Sequence, residues 1–345
     1  MTHLRWFFLL SAIALITACR KDDPRPDPSP APPTGVGANG VYVLNEGNFQ
    51  WGNASVSYYD IATGQSIEDL YQPANGAGLG DVLQSMTLHN GRAYLVVNNS
   101  GKVVVVDPHT FVATGTITGL PSPRYLLPVG DGRGYITDMQ SNTITVVDLN
   151  TLSVIGGIPC PGWTEQMALA HGKVFVTNET RRYLYVIDAT TDQVIDSLPV
   201  SRGASSMVAD ANGKLWVACM GGGGTPPALY RIDPLGVSVE EAFTFGSSAD
   251  SPWRLCTNGD RTVLYFLNDH VYRMAITDAA LPATPFVAAN GRNFYALGVE
   301  PGTGVVYAAD AIDFTQRGVV SRYAADGTLI NEFLAGRAPV GFVFP

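Results

Sequence analysis

Charge is scarce in this 345-residue chain: 15% of its residues are charged, against roughly a quarter in ordinary soluble proteins. Lys and Arg number 21 against 30 Asp and Glu, a formal net charge of −9. With no basic run either, the chain lacks the electrostatic footprint of a nucleic-acid binder. Histidine and cysteine are sparse, at five and four. No Cys-x-x-Cys pair exists, so neither a zinc site nor a disulfide framework is expected. Gly-x-Ser-x-Gly and His-x-x-Glu-His are also missing, which removes the signatures of the serine hydrolases and of one metallohydrolase class. The N-terminal apolar run, Trp6 to Ile16, is 11 residues long and too short to span a bilayer. Glycine and proline are plentiful, at 37 and 23, within a chain that is 46% hydrophobic and 10% aromatic. That balance excludes a disordered chain and favours short strands joined by tight turns.

Arg5 precedes the apolar run, and Thr17, Ala18 and Cys19 follow it. This is the build of a secretory signal. Ile16-Thr17-Ala18-Cys19 resembles the lipobox of bacterial lipoproteins, in which the cysteine is lipidated and becomes the new N-terminus. Arg20-Lys21-Asp22-Asp23 is similar to a surface-export signal of some outer-membrane bacteria. Six prolines between Pro24 and Pro33 then make an extended, solvated spacer. The expected organisation is a signal peptide over 1–18, a lipidated Pro-rich tether over 19–39 and a domain over 40–345. Cys160, Cys219 and Cys256 remain in that domain and read as small buried hydrophobes.

A repeat fixes the expected fold of the domain. Gly40-Val41-Tyr42, Gly91-Arg92-Ala93-Tyr94, Gly132-Arg133-Gly134-Tyr135, Gly172-Lys173-Val174-Phe175 and Gly213-Lys214-Leu215-Trp216 carry an aromatic inside a β-branched run, and looser copies centre on Tyr265 and Tyr307. The aromatics lie 52, 41, 40, 41, 49 and 42 residues apart. A period near 40 in an all-strand sequence predicts a β-propeller. In most copies a polar residue closes the aromatic strand (Asn45, Asn98, Asp138, Asn178, Asn268, Asp310), and a following strand ends in aspartate (Asp60, Asp107, Asp148, Asp188, Asp233). Those aspartates suit side chain-capped hairpin turns, not a metal site. Six innermost strands are expected near 82–88, 123–129, 165–170, 204–209, 252–257 and 293–299. The first copy lacks one, while Ala338 to Phe344 is surplus. The fold class is therefore all-β, a seven-bladed β-propeller whose first blade is closed by the C-terminal strand, which leaves no free sheet edge at the seam.

Phe175-Val176-Thr177-Asn178 and Tyr135-Ile136-Thr137-Asp138, with the Val-Ile-Asp-x-x-Thr segment at 186–191, resemble YVTN-type β-propeller repeats of surface-layer-like and periplasmic binding proteins. Gly40 to Phe49, followed by Asn53 to Asp60, resembles the opening blade of certain surface lipoproteins. Among these are propellers that capture cobalamin and pass it to a TonB-dependent outer-membrane transporter. The resemblance implies a lipid-anchored protein of the outer membrane, exposed at the cell surface, with a cobalamin-like ligand and a transporter as partners. Propellers carry many activities, so the fold alone assigns none.

Strand order puts the loops after each second strand, and those leading into each inner strand, on one face. That top face receives three of the five tryptophans, Trp51, Trp163 and Trp253. Phe49, Tyr125, Phe294, Tyr295 and Phe314 join them, with Arg124, Arg254, Arg292, Arg317 and Arg337 interleaved. Insertions at 47–53, 220–227 and 246–251 lie there too. Aromatic faces beside arginine and amide donors suit a flat, amide-rich ligand or a sugar. The expected ligand-binding set is Phe49, Trp51, Asn53, Arg124, Tyr125, Trp163, Glu165, Trp253, Arg254, Asn293, Phe294, Tyr295, Arg317 and Arg337; the alternative is a glycan-binding or surface-layer/adhesin propeller, and a propeller lyase or hydrolase is the least favoured reading. Glu46, Glu165, Glu179, Asp138 and Asp313 are carboxylates that top-face loops bring toward the channel, where, if they converge, they could hold a cation. Gly221-Gly222-Gly223-Gly224 is followed by no Lys-Ser/Thr and no helix, so it reads as a flexible loop and not a phosphate cradle. With no nucleophile–base pair and His270 alone among the histidines on this face, the expectation is capture without catalysis, cofactor or metal.

Overall fold

A computed structural model describes residues 39–345. The expected signal peptide, Cys19 and most of the Pro-rich tether lie outside the described residues. Seven antiparallel sheets make up the fold. The inner strands are Leu83–His89, Pro123–Gly130, Thr164–Ala170, Ala204–Ala209, Trp253–Thr257 and Phe294–Val299 for blades 2 to 7. Blade 1 takes its inner strand, Pro339–Val343, from the C-terminus. It pairs antiparallel with Gly40–Asn45, matching Tyr42 with Val343 and Leu44 with Gly341. This is the seam that the surplus C-terminal strand predicts.

The second strands read as continuous apolar runs because both faces of a blade are covered by its neighbours. In blade 2, Ala93 to Val97 are all buried. Tyr94, Val96 and Ile117 of that blade pack with Leu126, Ile136 and Val147 of blade 3. The repeating aromatic fastens blade to blade. Tyr42 of blade 1 donates its hydroxyl to the Pro108 carbonyl of blade 2 at 2.9 Å, and Tyr135 of blade 3 donates to Asp192 of blade 4. The strand-ending aspartates cap their turns: Asp148 Oδ1 accepts from the amides of Asn150 and Thr151 at 2.7 and 2.9 Å. Asp60, Asp107 and Asp188 do the same. The bonds to Thr151 and Asn150 hold the Asp148 carboxyl below its usual range.

Blade 6 departs from the four-stranded pattern, with three strands. Its outer position is taken by a single bridge between Val271 and Val287. Pro282 and Pro285 interrupt the connecting segment, and proline lacks the amide a ladder needs. Cys160, Cys219 and Cys256 are free thiols, the first two buried.

Candidate functional site

Each inner strand begins with a bulge, and the bulge decides what faces the top of the central channel. In blade 4, Thr164 pairs with Asn178 and the register then slips before Met167 pairs with Val176. Blades 2, 3, 5, 6 and 7 slip at the same point. The residue just after the first pair is Gln84, Arg124, Glu165, Ser205, Arg254 or Tyr295 in blades 2 to 7, and Val340 in blade 1. Bulges re-aim side chains in this way. Arg254 adopts a left-handed φ of 52° there. The polar residues closing the second strands anchor the same loops: Asp138 Oδ2 accepts from the Ser122 amide at 2.7 Å, and Asp310 Oδ1 from the Asn293 amide at 3.0 Å.

The mouth is charged and self-paired in part. Arg124 donates to Glu165 through Nε and Nη2, both at 2.7 Å. Trp163 Nε1 donates to the same carboxylate at 2.8 Å, and the guanidinium lies 5.4 Å from the indole centre. Burial opposes the charge on Arg124, and Glu165 more than offsets it, so the guanidinium is held above its ordinary value. Across the ring, Arg254 donates to the Tyr295 carbonyl at 3.0 Å and lies 4.6 Å from the Trp253 ring centre. Tyr295 meets Trp253 edge-on at 5.3 Å and Phe314 edge-on at 4.9 Å. Its hydroxyl donates to Glu46 at 3.2 Å. Burial raises the Glu46 carboxyl despite Arg254 and Arg124. Burial, then repulsion from Glu165, pushes Glu179 up to about 7, against the pull of Arg124 and Arg254.

Beside the mouth, between blades 1 and 7, a cleft of about 520 Å³ is lined by Glu46, Phe49, Trp51, Phe314 and Arg337. Its aromatic wall stands proud of the surface, with Phe49 64% and Trp51 78% exposed. The loop beneath is fixed. The Asn48 amide donates to Asn53 Oδ1 at 2.7 Å, and Asn53 Nδ2 returns a bond to Asn48 Oδ1 at 3.0 Å. The Gln50 amide donates to Asp81 at 2.8 Å, and Asn48 Nδ2 reaches the Phe314 carbonyl at 2.7 Å. Ile312 and Phe314 hold left-handed φ of 55° and 63°. For a β-branched or bulky residue that backbone is uncommon and requires surrounding support. A cleft of about 510 Å³ on the opposite face, beside Asn39, Ile61, Glu300 and Phe344, contains no arginine in its lining.

The structure thus sorts the expected ligand set. Phe49, Trp51 and Arg337 line the cleft. Arg124, Tyr125, Trp163, Glu165, Trp253, Arg254 and Tyr295 gather at the mouth. Phe294 does not face it: the residue is 6% exposed and belongs to the core with Tyr265, Leu267 and Val299. Asn53 spends its amide inside its own loop. Asn293 sits on a loop tied to Asp310 and the Ile312 carbonyl. Arg317 turns outward to Glu68 at 3.2 Å and to the Ala335 carbonyl. Asp138 and Asp313 are occupied with turn amides and do not join the mouth. Gln84 escaped sequence reasoning because an amide at a strand start carries no motif; counting one repeat back from Arg124 locates it. The tetraglycine is a closed turn in which Gly222 and Thr225 exchange backbone bonds of 3.0 and 3.1 Å. All four glycines have φ between 57° and 101°, conformations that side chains disfavour. Among the described residues no group of three or more His, Cys, Asp or Glu is arranged to hold a metal ion.

No curated protein matches this chain. Several solved structures share its fold. A quinonprotein alcohol dehydrogenase-like protein from Bacteroides thetaiotaomicron is 15% identical, with 89% of this chain and 78% of that one covered at a TM-score of 0.70. A protein from Lactobacillus plantarum is 13% identical over 89% and 99% of the two chains, also at 0.70. A functionally unknown protein from Desulfotomaculum acetoxidans is 11% identical over 89% and 98%, at 0.65. At such identities the likeness is one of fold alone. A family model described as a domain of unknown function matches residues 39–344, and the chain accordingly belongs to that family, DUF5074.

Proposed function

We propose that this protein is a surface-exposed outer-membrane lipoprotein, anchored through Cys19, that captures a cobalamin-like corrinoid on its top face without chemical turnover. It then passes the cargo to a TonB-dependent transporter. The observation that carries the reading is the fixed loop that holds Phe49 and Trp51 64% and 78% exposed at the edge of the cleft. Large aromatics left in water on a pinned loop have their ordering cost already met, so a ligand gains their contact area in full. Arg337 at the cleft, and the donors of Arg254 beside it, suit the amide carbonyls around a flat ring. An exposed indole also suits the apolar face of a sugar ring, which makes a glycan the second reading.

Calorimetry of the full chain against cobalamins, haem and a glycan panel tests the ligand. Phe49→Ala with Trp51→Ala is expected to weaken corrinoid binding by about 100-fold, since each buried aromatic contact contributes of order 1–3 kcal/mol. Corrinoid binding by the double variant at parental affinity removes the cleft from the reading. An oligosaccharide bound where every corrinoid is ignored replaces the ligand. Cys19→Ser is expected to abolish palmitate labelling, and unchanged labelling refutes the anchor.

A further inference from the structure

Two arginines on the top face have no acidic counterpart. Arg182 immediately precedes the third strand of blade 4, Tyr183–Asp188, and Arg202 lies two residues before the inner strand of blade 5, Ala204–Ala209. Both are exposed. Neither belongs to any ion pair among the described residues. Glu179 is the carboxylate closest to Arg182 along the chain, yet the cations that act on it are Arg124 and Arg254. The Arg202 side chain has no hydrogen bond among the described residues. Arg182 has one, donated to the Gly223 carbonyl.

The tetraglycine turn brings the two guanidiniums together. The turn is tied to the Arg202 loop by three bonds. The Arg202 amide donates to Thr225 Oγ1 at 3.0 Å, that hydroxyl donates to the Gly222 carbonyl at 2.9 Å, and the Gly221 amide donates to the Arg202 carbonyl at 2.8 Å. A Cβ on Gly223 would lie 3.1 Å from Arg202 Nη1 and 3.8 Å from Arg182 Nη2. Those two nitrogens are therefore at most about 7 Å apart, and like charges at that range repel unless something neutralises them. Glycine keeps the space between them open, at a φ of 57° that side chains disfavour. The unspent atoms of both guanidiniums are all donors.

We propose that Arg182 and Arg202 form an oxyanion site beside Gly223, which takes a phosphate group, free or as a monoester. Two oxygens of one phosphate, each accepting at about 2.8 Å, bridge donors up to about 8 Å apart. A phosphate carries up to two charges and offers a separate oxygen to each fork, whereas a single fork satisfies a carboxylate. The turn is not itself the cradle: side chains from two neighbouring loops supply the charge, and the bare glycines give access. The open surroundings leave room for an ester substituent. The chain has a net charge of −9, so anions gain no general attraction to it and must be held by local cations. This site lies across the ring from the cleft between blades 1 and 7 and stands whether or not that cleft takes a corrinoid.

The test is calorimetric titration of the full chain with inorganic phosphate and with ethyl phosphate, in a zwitterionic buffer of low ionic strength at about pH 8, where phosphate is mostly doubly charged. Acetate is the control. Saturable binding of a phosphate species is expected, with acetate at least about tenfold weaker. Inorganic phosphate bound alone identifies the free ion as the ligand, and ethyl phosphate bound as tightly identifies an ester. Arg202→Gln and Arg182→Gln should each weaken binding at least about tenfold, the loss one charge-assisted hydrogen bond brings. Arg261→Gln, which removes the same charge from an exposed turn of blade 6 on the opposite face, should leave the affinity unchanged. Sodium chloride at about 0.5 M should weaken binding, because exposed charges are screened. A circular dichroism spectrum matching the parent establishes that each variant has folded. Absence of saturable binding of either phosphate overturns the proposal. So does acetate bound as tightly as phosphate, or parental affinity in a folded Arg202→Gln variant.

Discussion

Replacing Arg124 by methionine probes the pair that shapes the mouth. The Arg124 and Glu165 side chains are 14% and 5% exposed. Two hydrogen bonds vanish with the guanidinium, and Glu165 retains only the Trp163 indole as a partner. Removing one member of a buried ion pair typically costs about 3–5 kcal/mol, because the other is stranded in a poor solvent for charge. The Trp163 indole still donates to Glu165, so the lower end of that range, about 3 kcal/mol, is expected. Against a typical total of about 5–15 kcal/mol, this is readily measured by urea denaturation near neutral pH. Glu165→Gln alone should also destabilise, by stranding Arg124. The double variant, Arg124→Met with Glu165→Gln, should lose less than the sum of the singles by about 2 kcal/mol, since no charge is then left unpaired. The midpoint should move with the urea slope unchanged. A loss below about 1 kcal/mol in the single variant, or strict additivity in the double, would refute the claim that this pair is held away from water.

Three further outcomes follow from the same geometry. Deleting Pro339–Pro345 removes the inner strand of blade 1, the burial of Val340 and the ladder to Tyr42–Asn45. That loss approaches the whole stability of a domain, so the chain should not fold, and a cooperative parental melt would disprove closure at this seam. Phe49→Ala with Trp51→Ala should leave the thermal midpoint where it is, within about 0.5 kcal/mol, because both side chains already face water; a clear drop would mean that they pack. The Glu179 carboxyl is raised by burial and by Glu165 from 4.5 to about 7, so the fold favours its protonated form. Stability then falls as pH rises through that window. Glu179→Gln should be more stable than the parent at about pH 8 by about 1–2 kcal/mol, after discount for partial solvent access. It should show no such advantage at about pH 4, and a constant difference across the range would contradict the sign.

The blades were legible in the sequence because each repeat restates one local arrangement. An aromatic in a β-branched strand and a capping aspartate recur every 40 or so residues, and both act over a few neighbours. Even the seam could be counted, since a strand missing at one end and surplus at the other leaves one way to close the ring. Blade 6 lost its fourth strand through Pro282 and Pro285, a local cause the repeat count passed over. The site was legible only by face. Phe294 and Tyr295 are neighbours in sequence, yet the bulge at the strand start buries one in the core and sends the other to Glu46. Arg317 and Arg337 face each other across two strands, but one turns out to Glu68 and the other lines the cleft. Whether Arg124 meets Glu165 depends on inner strands some 40 residues apart being set side by side. Sequence determined the blades because their contacts are local and repeated. Tertiary structure alone decided which charges pair at the mouth, because that depends on how the bulges re-aim single side chains across the ring.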